Sequence, residues 1–592
     1  MTDQISRRKL LAAGGVAGLL GVTGVSGAVA MGEESSPDLE KYVQSLPIPE
    51  EREPDSRRWG VEHHEVEIQE TTHSFHPDLP DTVIWGFDGQ FPGPIIAGRR
   101  GRPLAVEVDN SQLPDEHLFE VDERIDGTTT ENYVGYDGEV PEVRNSTHFH
   151  GLNVPPESDG QADMWISPDG VEGPRRARDV QVLPNRQSRL TSTYHDHTRG
   201  LTRLNNYAGL VGPYYIRSRE EKRLNLPDGE YDIPLVLADR SFDEDGSLQY
   251  PKMFMANVSG DTATVNGAAW PSLEVEPRRY RFRIINASNA RTYDLGLDND
   301  DSVAHGSVPT IHQISPGHGF LEEVVSIDHH GDLHSLVLAP FERADVIVDF
   351  SEYAGETLTV TNDAEFPYAG GMDHGDNTES HPQLPEIMQI QVADELERPD
   401  TSVDPTNLTL PERNGPDPDD AEVTREVTME MDMDMDNGLM IHTLNGKRWG
   451  DPVDFQPELG STEIWELVND DHHTHPIHLH LVEFEVIDRE RHGDHGDTEG
   501  EDGHDTDHST GPLPNERGGK DVVRVNPGET VRIAVQFGDF PGTYPFHCHV
   551  LEHEEHDMMR PFEVVAEDET DNPWRSCSDD PDREHSDKSG WG

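Results

Sequence analysis

An all-β protein of three two-sheet sandwich domains is what this sequence predicts, on three observations. Apolar and polar residues alternate over short runs, as in Tyr280, Phe282 and Ile284, in Val346 and Val348, and in Val531, Ile533, Val535 and Phe537. This period of two puts every second side chain on one buried face of a strand. Turn-forming Pro, Gly and Asp separate the runs, and no long helical periodicity interrupts them. The chain has 592 residues, more than a single core usually serves.

In chain order, residues 1–30 read as a twin-arginine signal peptide. Ser6-Arg7-Arg8-Lys9-Leu10-Leu11 precedes a short apolar stretch, and Ala28-Val29-Ala30 offers a cleavage site. The stretch is Gly-rich and too short to favour a membrane span. The expectation is export by the twin-arginine route, with the translocase as transient partner, no stable membrane span, and a secreted or cell-surface destination. A polar leader covers 31–44. Three sandwiches follow over 45–218, 230–394 and 420–567, parted by acidic connectors near 217–231 and 393–422. The third carries an acidic insertion, 489–519, containing His492, His495, His504 and His508; a solvated loop is the plain reading and metal capture the sharper one. Residues 568–592 form an acidic polar tail.

Acidic residues number 117 and basic ones 46, a net charge of −71. So acidic a chain excludes nucleic acid as a partner, because phosphates demand a basic footprint. Acid spread along the whole length reads as adaptation to high salt, where screening to about 3 Å at 1 M relieves self-repulsion. Only two cysteines occur, Cys548 and Cys577, so no structural disulfide is expected. A monomer is expected.

The chemistry is concentrated in Phe546-His547-Cys548-His549, with His553 and Met558 beyond it. Two imidazoles, one thiolate and a weak axial thioether are the donor set of blue copper. In a strand Cys548 faces one way and His547 and His549 the other, so one strand touches two metal sites joined by short lengths of backbone. Three more H-x-H pairs occur, His148/His150, His195/His197 and His478/His480, the last preceded by His475. Each pair puts both rings on one side of an extended segment. Four pairs converging would give eight imidazoles, enough for a three-copper cluster, and His475, Cys548, His553 and Met558 remain for a single blue copper. Zinc also binds Cys and His, but it does not call for this joint pattern.

These residues resemble the multicopper oxidases, in particular the three-domain bacterial group of spore-coat laccases and bilirubin oxidases. The resemblance spans residues 45 to 565 and rests on Thr147–Gly151, Tyr194–His197 with Asn205–Gly209, His475–Leu481 and Phe546–Arg560. It implies cupredoxin-like Greek-key sandwiches and four coppers per chain: one type 1, one type 2 and two type 3. His148 and His478 would hold the type 2 copper, and His150, His195, His197, His480, His547 and His549 the type 3 pair. Phe149 stands where many members carry Trp. By the same resemblance Asp159 and Glu554 occupy the two acidic positions that deliver protons.

The implied reaction is one-electron oxidation of phenols or aromatic amines at the type 1 site, coupled to reduction of O2 to two waters at the cluster. The electron is expected to enter through an exposed edge of His475 or His553. The cluster should lie between the first and third sandwiches, with the middle one a spacer. Oxidation of bilirubin, and of Cu(I) for copper tolerance, are the alternative activities; a copper-free scaffold would have lost ligands. Met429, Met431, Met433 and Met435 would share one face of a strand, either packed on the core or offering soft thioethers to Cu(I), with Met372, His374 and His381 nearby in sequence.

Overall fold

The structure, a computed structural model, describes residues 35–299, 308–328, 330–370, 382–413, 415–435, 438–492 and 508–566. The signal peptide, the start of the leader, the tail with Cys577, Met372, His374, His381, His495, His504 and the His508 side chain lie outside the described residues.

Six sheets form three pairs in chain order. Strands between Ser56 and Arg217 make a five-stranded and a four-stranded sheet, those between Asp232 and Val392 a seven- and a five-stranded sheet, and those between Val423 and Val564 a six- and a four-stranded sheet. In each pair the alternating residues meet in one core. Val66 and Ile68 pack with Ile96 and Tyr214 in the first. Phe282 and Val346 pack with Leu295 and Ile390 in the second. Val427 and Ile533 pack with Phe546 and Phe562 in the third. Helices are short: Thr202–Ala208, Arg219–Arg223 and Leu551–Glu555. None among the described residues is long and apolar enough to cross a membrane.

The sheets are mixed rather than purely antiparallel. Val61–His73 runs parallel to Leu104–Asp109, Asp232–Arg240 to Arg279–Asn286, and Val423–Asp434 to Thr462–Asn469. Each first strand is followed by an antiparallel neighbour, Thr82–Phe87, Thr262–Val265 or Leu439–Leu444, and the chain then crosses over to re-enter beside the first strand in the same direction, which a hairpin cannot do. This relation recurs in all three sandwiches.

Scarce cations are spent inside the protein. Asp345 receives Arg189 at 2.6 Å and Arg281 at 2.5 and 2.8 Å, and Glu221 accepts from Arg281 at 2.6 Å. These groups tie the first sandwich and its connector to the second. Asp345→Asn would leave two buried guanidinium groups short of their counter-charge, at a cost of about 3–5 kcal/mol. A lowered thermal midpoint with an unchanged blue absorption band is the expected result.

Candidate metal centres

Two hairpin-like pairings build the larger centre. Thr147–Phe149 lies antiparallel to Leu190–Asp196 with His148 opposite His195, and His475–Leu479 lies antiparallel to Gly542–Cys548 with His478 opposite His547. Directly opposed residues are the nearest neighbours on a sheet face, so each register brings imidazoles together. Within H-x-H pairs the ring centroids are 4.8 to 5.9 Å apart. All eight rings are buried. Their nitrogens fall into three groups, each within 4.8 Å: His148 and His478 with His480; His150, His195 and His549; and His197, His480 and His547.

The outer nitrogens are held in place. His148 Nδ1 contacts the Asp159 carbonyl at 2.6 Å, His195 Nδ1 the Asp196 carbonyl at 2.8 Å, and His478 Nδ1 the Asp521 carbonyl at 2.7 Å. The inner Nε2 atoms of His148, His150, His195 and His478 have no hydrogen-bond partner. Unpaired buried nitrogens are costly, and lone pairs turned inward with the opposite nitrogen anchored are how imidazoles bind metal. This donor set fits a copper cluster.

Three buried carboxylates surround the eight rings, and they differ. Asp159 Oδ2 lies 3.0 Å from His480 Nδ1, and burial pushes its carboxyl well above the usual range. Glu554 lies 3.4 Å from His197 Nδ1 and 3.2 Å from His547 Nδ1; burial raises it to about 7, partly offset by His197. A cavity of about 10 Å³, lined by Asp126, Arg199, Glu555 and Asp557 among others, reaches Glu554 and has room for about one water. Asp521 Oδ2 lies 2.9 Å from His150 Nδ1. Burial also acts upward on Asp521, but Arg343 at 2.6 Å, His150 and His318 outweigh it and hold the carboxyl well down. Burial thus favours the neutral form of Asp159 and Glu554, whereas the cations around Asp521 favour its ionised form beside His150.

The middle sandwich is more than a spacer. Its Phe341 stacks on His549 at 4.0 Å and lies 4.7 Å from His195. Its Arg343 and His318 both meet Asp521, and His318 also lies 3.1 Å from Glu483. The spacer expectation fails because two sandwiches alone leave one side of the cluster without a wall. Gly151 makes this closure possible: at φ +73°, a Cβ there would come within 2.2 Å of Asp521 Oδ2.

The smaller centre uses the other face of the same strands. His475 and His478 are an odd number of residues apart, so they point oppositely. Cys548 Sγ lies 3.5 Å from His475 Nδ1 and 3.8 Å from His553 Nδ1, and these nitrogens are 3.2 Å apart. The helix Leu551–Glu555 turns His553 back onto Cys548. Met558 is buried in the same apolar cluster as Cys548, and its carbonyl accepts the Cys548 N–H at 2.9 Å. Burial pushes the Cys548 thiol well up, and a bound cation would reverse that.

His475 and His553 are both fully buried, which corrects the expectation of an exposed ligand edge. His442 covers His553, stacked at 3.9 Å and 24°. Its Nδ1 lies 3.0 Å from Asp471 Oδ2, which also lies 2.9 Å from His475 Nε2. The ring lies flat on His553 with Nδ1 on Asp471, and ring nitrogens of His442, His475 and His553 lie within 4.8 Å of one another. The methionine run divides. Met429 is buried, Met431 and Met433 are exposed, and Met435 lies past the strand end at Asp434. The reason is that Thr462–Asn469 pairs only as far as Met429, so the strand beyond it projects past that neighbour.

Asp471, Asp521, His442, Phe341, Arg343 and His318 escaped the sequence reading. Among 117 acidic residues and 32 histidines, no spacing signal separates these from surface groups.

A family model described as multicopper oxidase matches residues 418–568. A laccase of Haloferax volcanii is 52% identical over 95% of this chain and 91% of its own length. A laccase of Bacillus subtilis is 40% identical over 89% and 99%. Among solved structures, a laccase from Pediococcus acidilactici superposes with a TM-score of 0.66 at 26% identity, over 91% of this chain and 99% of that one. A multicopper oxidase from Aquifex aeolicus gives 0.67 at 26%, over 89% and 100%. With two buried histidine centres joined through one cysteine, and relatives of this similarity along nearly its whole length, the chain belongs to the multicopper oxidase family.

Proposed function

We propose that the chain is a laccase-type oxidase that takes single electrons from phenols and aromatic amines and passes them to O2. Bound copper supplies the one-electron redox chemistry and the reduction of O2 to two waters. His475, Cys548, His553 and Met558 would hold the type 1 copper, His148 and His478 the type 2, and His150, His195, His549 and His197, His480, His547 the type 3 pair. The observation that carries the reading is Cys548, whose thiol faces two imidazoles while its chain neighbours His547 and His549 face the other centre. Asp159 and Glu554 hold protons beside the cluster, and Asp521 keeps His150 oriented. The amino-terminal twin-arginine pattern supports export as a secreted or cell-surface protein, the acidic composition supports operation in concentrated salt, and a monomer suffices because one chain supplies both centres.

A second activity, oxidation of Cu(I), is favoured by one observation. Met431 and Met433 are exposed, and Met431 pairs across the sheet with His442, beside the smaller centre. Oxygen uptake by the copper-loaded protein in concentrated salt separates the two, comparing kcat/KM for dimethoxyphenol and for Cu(I). The expected result is a much higher value for the phenol, and its loss on dilution of the salt. Uptake with neither donor, despite four bound coppers, would sink both readings.

A further inference from the structure

The type 1 site has no open edge. Cys548, His475, His553 and Met558 are each fully buried, and most of their surroundings are apolar core. Among the described residues, polar rings replace that core on one side. His442 stacks on His553 at 3.9 Å and lies 5.7 Å from His475. His473 lies 5.9 Å from both His442 and His553. Asp471 sits among them, with Oδ2 shared by His442 and His475, and Oδ1 3.6 Å from His473 Nδ1. Asp471 and His442 are themselves buried. His473 alone of this group reaches the surface, with 13% of its side chain exposed.

Electron transfer weakens steeply with the gap to be crossed, so a donor must come as near to His475 or His553 as the surface allows. The apolar walls keep it away, and the histidine side offers a chain of ring contacts instead. We propose that His473, backed by His442, is the electron-entry port of this enzyme. A flat aromatic donor rests against the exposed part of the His473 ring, and the electron crosses to His553 through the stacked histidines. This rests on the laccase-type reading above. For a phenol, the O–H bond breaks, the proton leaves to solvent at the exposed edge, one electron enters the type 1 site, and a phenoxyl radical departs; O2 is the final acceptor. His442 is a positioning residue: it holds the stack on His553 and shares the Asp471 oxygen that orients His475. Donors should then be selected by their fit to a shallow ring contact rather than by entry into a deep pocket.

The test is anaerobic stopped-flow reduction of the blue band by dimethoxyphenol, in the copper-loaded native protein and in His473→Ala, His473→Phe and His442→Leu. His473→Ala is expected to slow reduction by roughly tenfold or more, with the type 1 potential and reoxidation by O2 unchanged; His473→Phe restores part of the rate. His442→Leu slows the same step and also shifts the potential. A second readout needs no turnover. The ring protons of an unreactive nitrophenol should relax faster beside the copper-loaded native protein than beside copper-free protein, and His473→Ala should remove the difference. Reduction of His473→Ala at the native rate, or nitrophenol relaxation indifferent to that substitution, overturns the proposal. Native, fully loaded protein that no phenol reduces would instead overturn the laccase-type reading.

Discussion

Cys548→Ser is expected to abolish the blue absorption band and to cut phenol oxidation by roughly 10³-fold or more, about 4 kcal/mol of barrier. Among the described residues this is the one thiol facing the two imidazole nitrogens, at 3.5 and 3.8 Å. A serine hydroxyl is a hard donor where copper prefers a soft thiolate. The flanking rings depend on other contacts: His547 Nδ1 lies 2.9 Å from the Cys548 carbonyl, which serine retains, and His549 stacks on Phe341. The three-copper cluster should therefore load normally. Metal analysis should fall from four coppers to three per chain, with the type 2 electron paramagnetic resonance signal intact. A blue band that survived this substitution would refute the assignment of the smaller centre.

Asp159→Asn and Glu554→Gln should each lower turnover with O2 by about 10²–10⁴-fold, the usual contribution of a positioned proton donor. The defect should appear in reoxidation by O2, while anaerobic reduction of the type 1 site keeps its native rate. Asp159 meets His480 and Glu554 meets His197 and His547, so both stand against the cluster's rings. Asp521→Asn should behave differently. Its carboxylate is held down by Arg343, His150 and His318 after burial is offset, so it has no proton to give. Losing its charge should weaken copper retention at the cluster by about 10–100-fold, as removal of a ligand's anchoring partner does. Stopped-flow kinetics and copper titration tell the two classes apart, and identical behaviour of all three variants would remove the distinction.

How much was legible follows from how local each feature is. The strands were legible because burial on one face leaves a period of two, as in Val531, Ile533 and Val535. The metal-facing residues were legible because an H-x-H pair in extended chain fixes both rings on one side whatever surrounds it. The parallel pairing of Val423–Asp434 with Thr462–Asn469 was not, because it depends on a crossover between sheets rather than on either strand. Nor was the division of the methionine run, since Met431 is exposed only because the neighbouring strand stops pairing at Met429.

From the sequence by itself came the all-β class, the four H-x-H pairs, the cysteine inside one of them, and the acidic surroundings; the metal motifs are written in residues a few positions apart. Tertiary structure alone revealed Asp521 as a third carboxylate at the cluster, one that Arg343, His150 and His318 hold down against burial, whereas burial pushes Asp159 and Glu554 up. It also decided that Phe341 and Arg343 of the middle sandwich close the cluster and that His442 and His473 cover the type 1 site. The reason is physical: a bare local spacing sets which way a side chain points, but burial, charge partners and access to solvent depend on other segments that the fold brings alongside, such as Asp159 against His480 and Arg343 against Asp521.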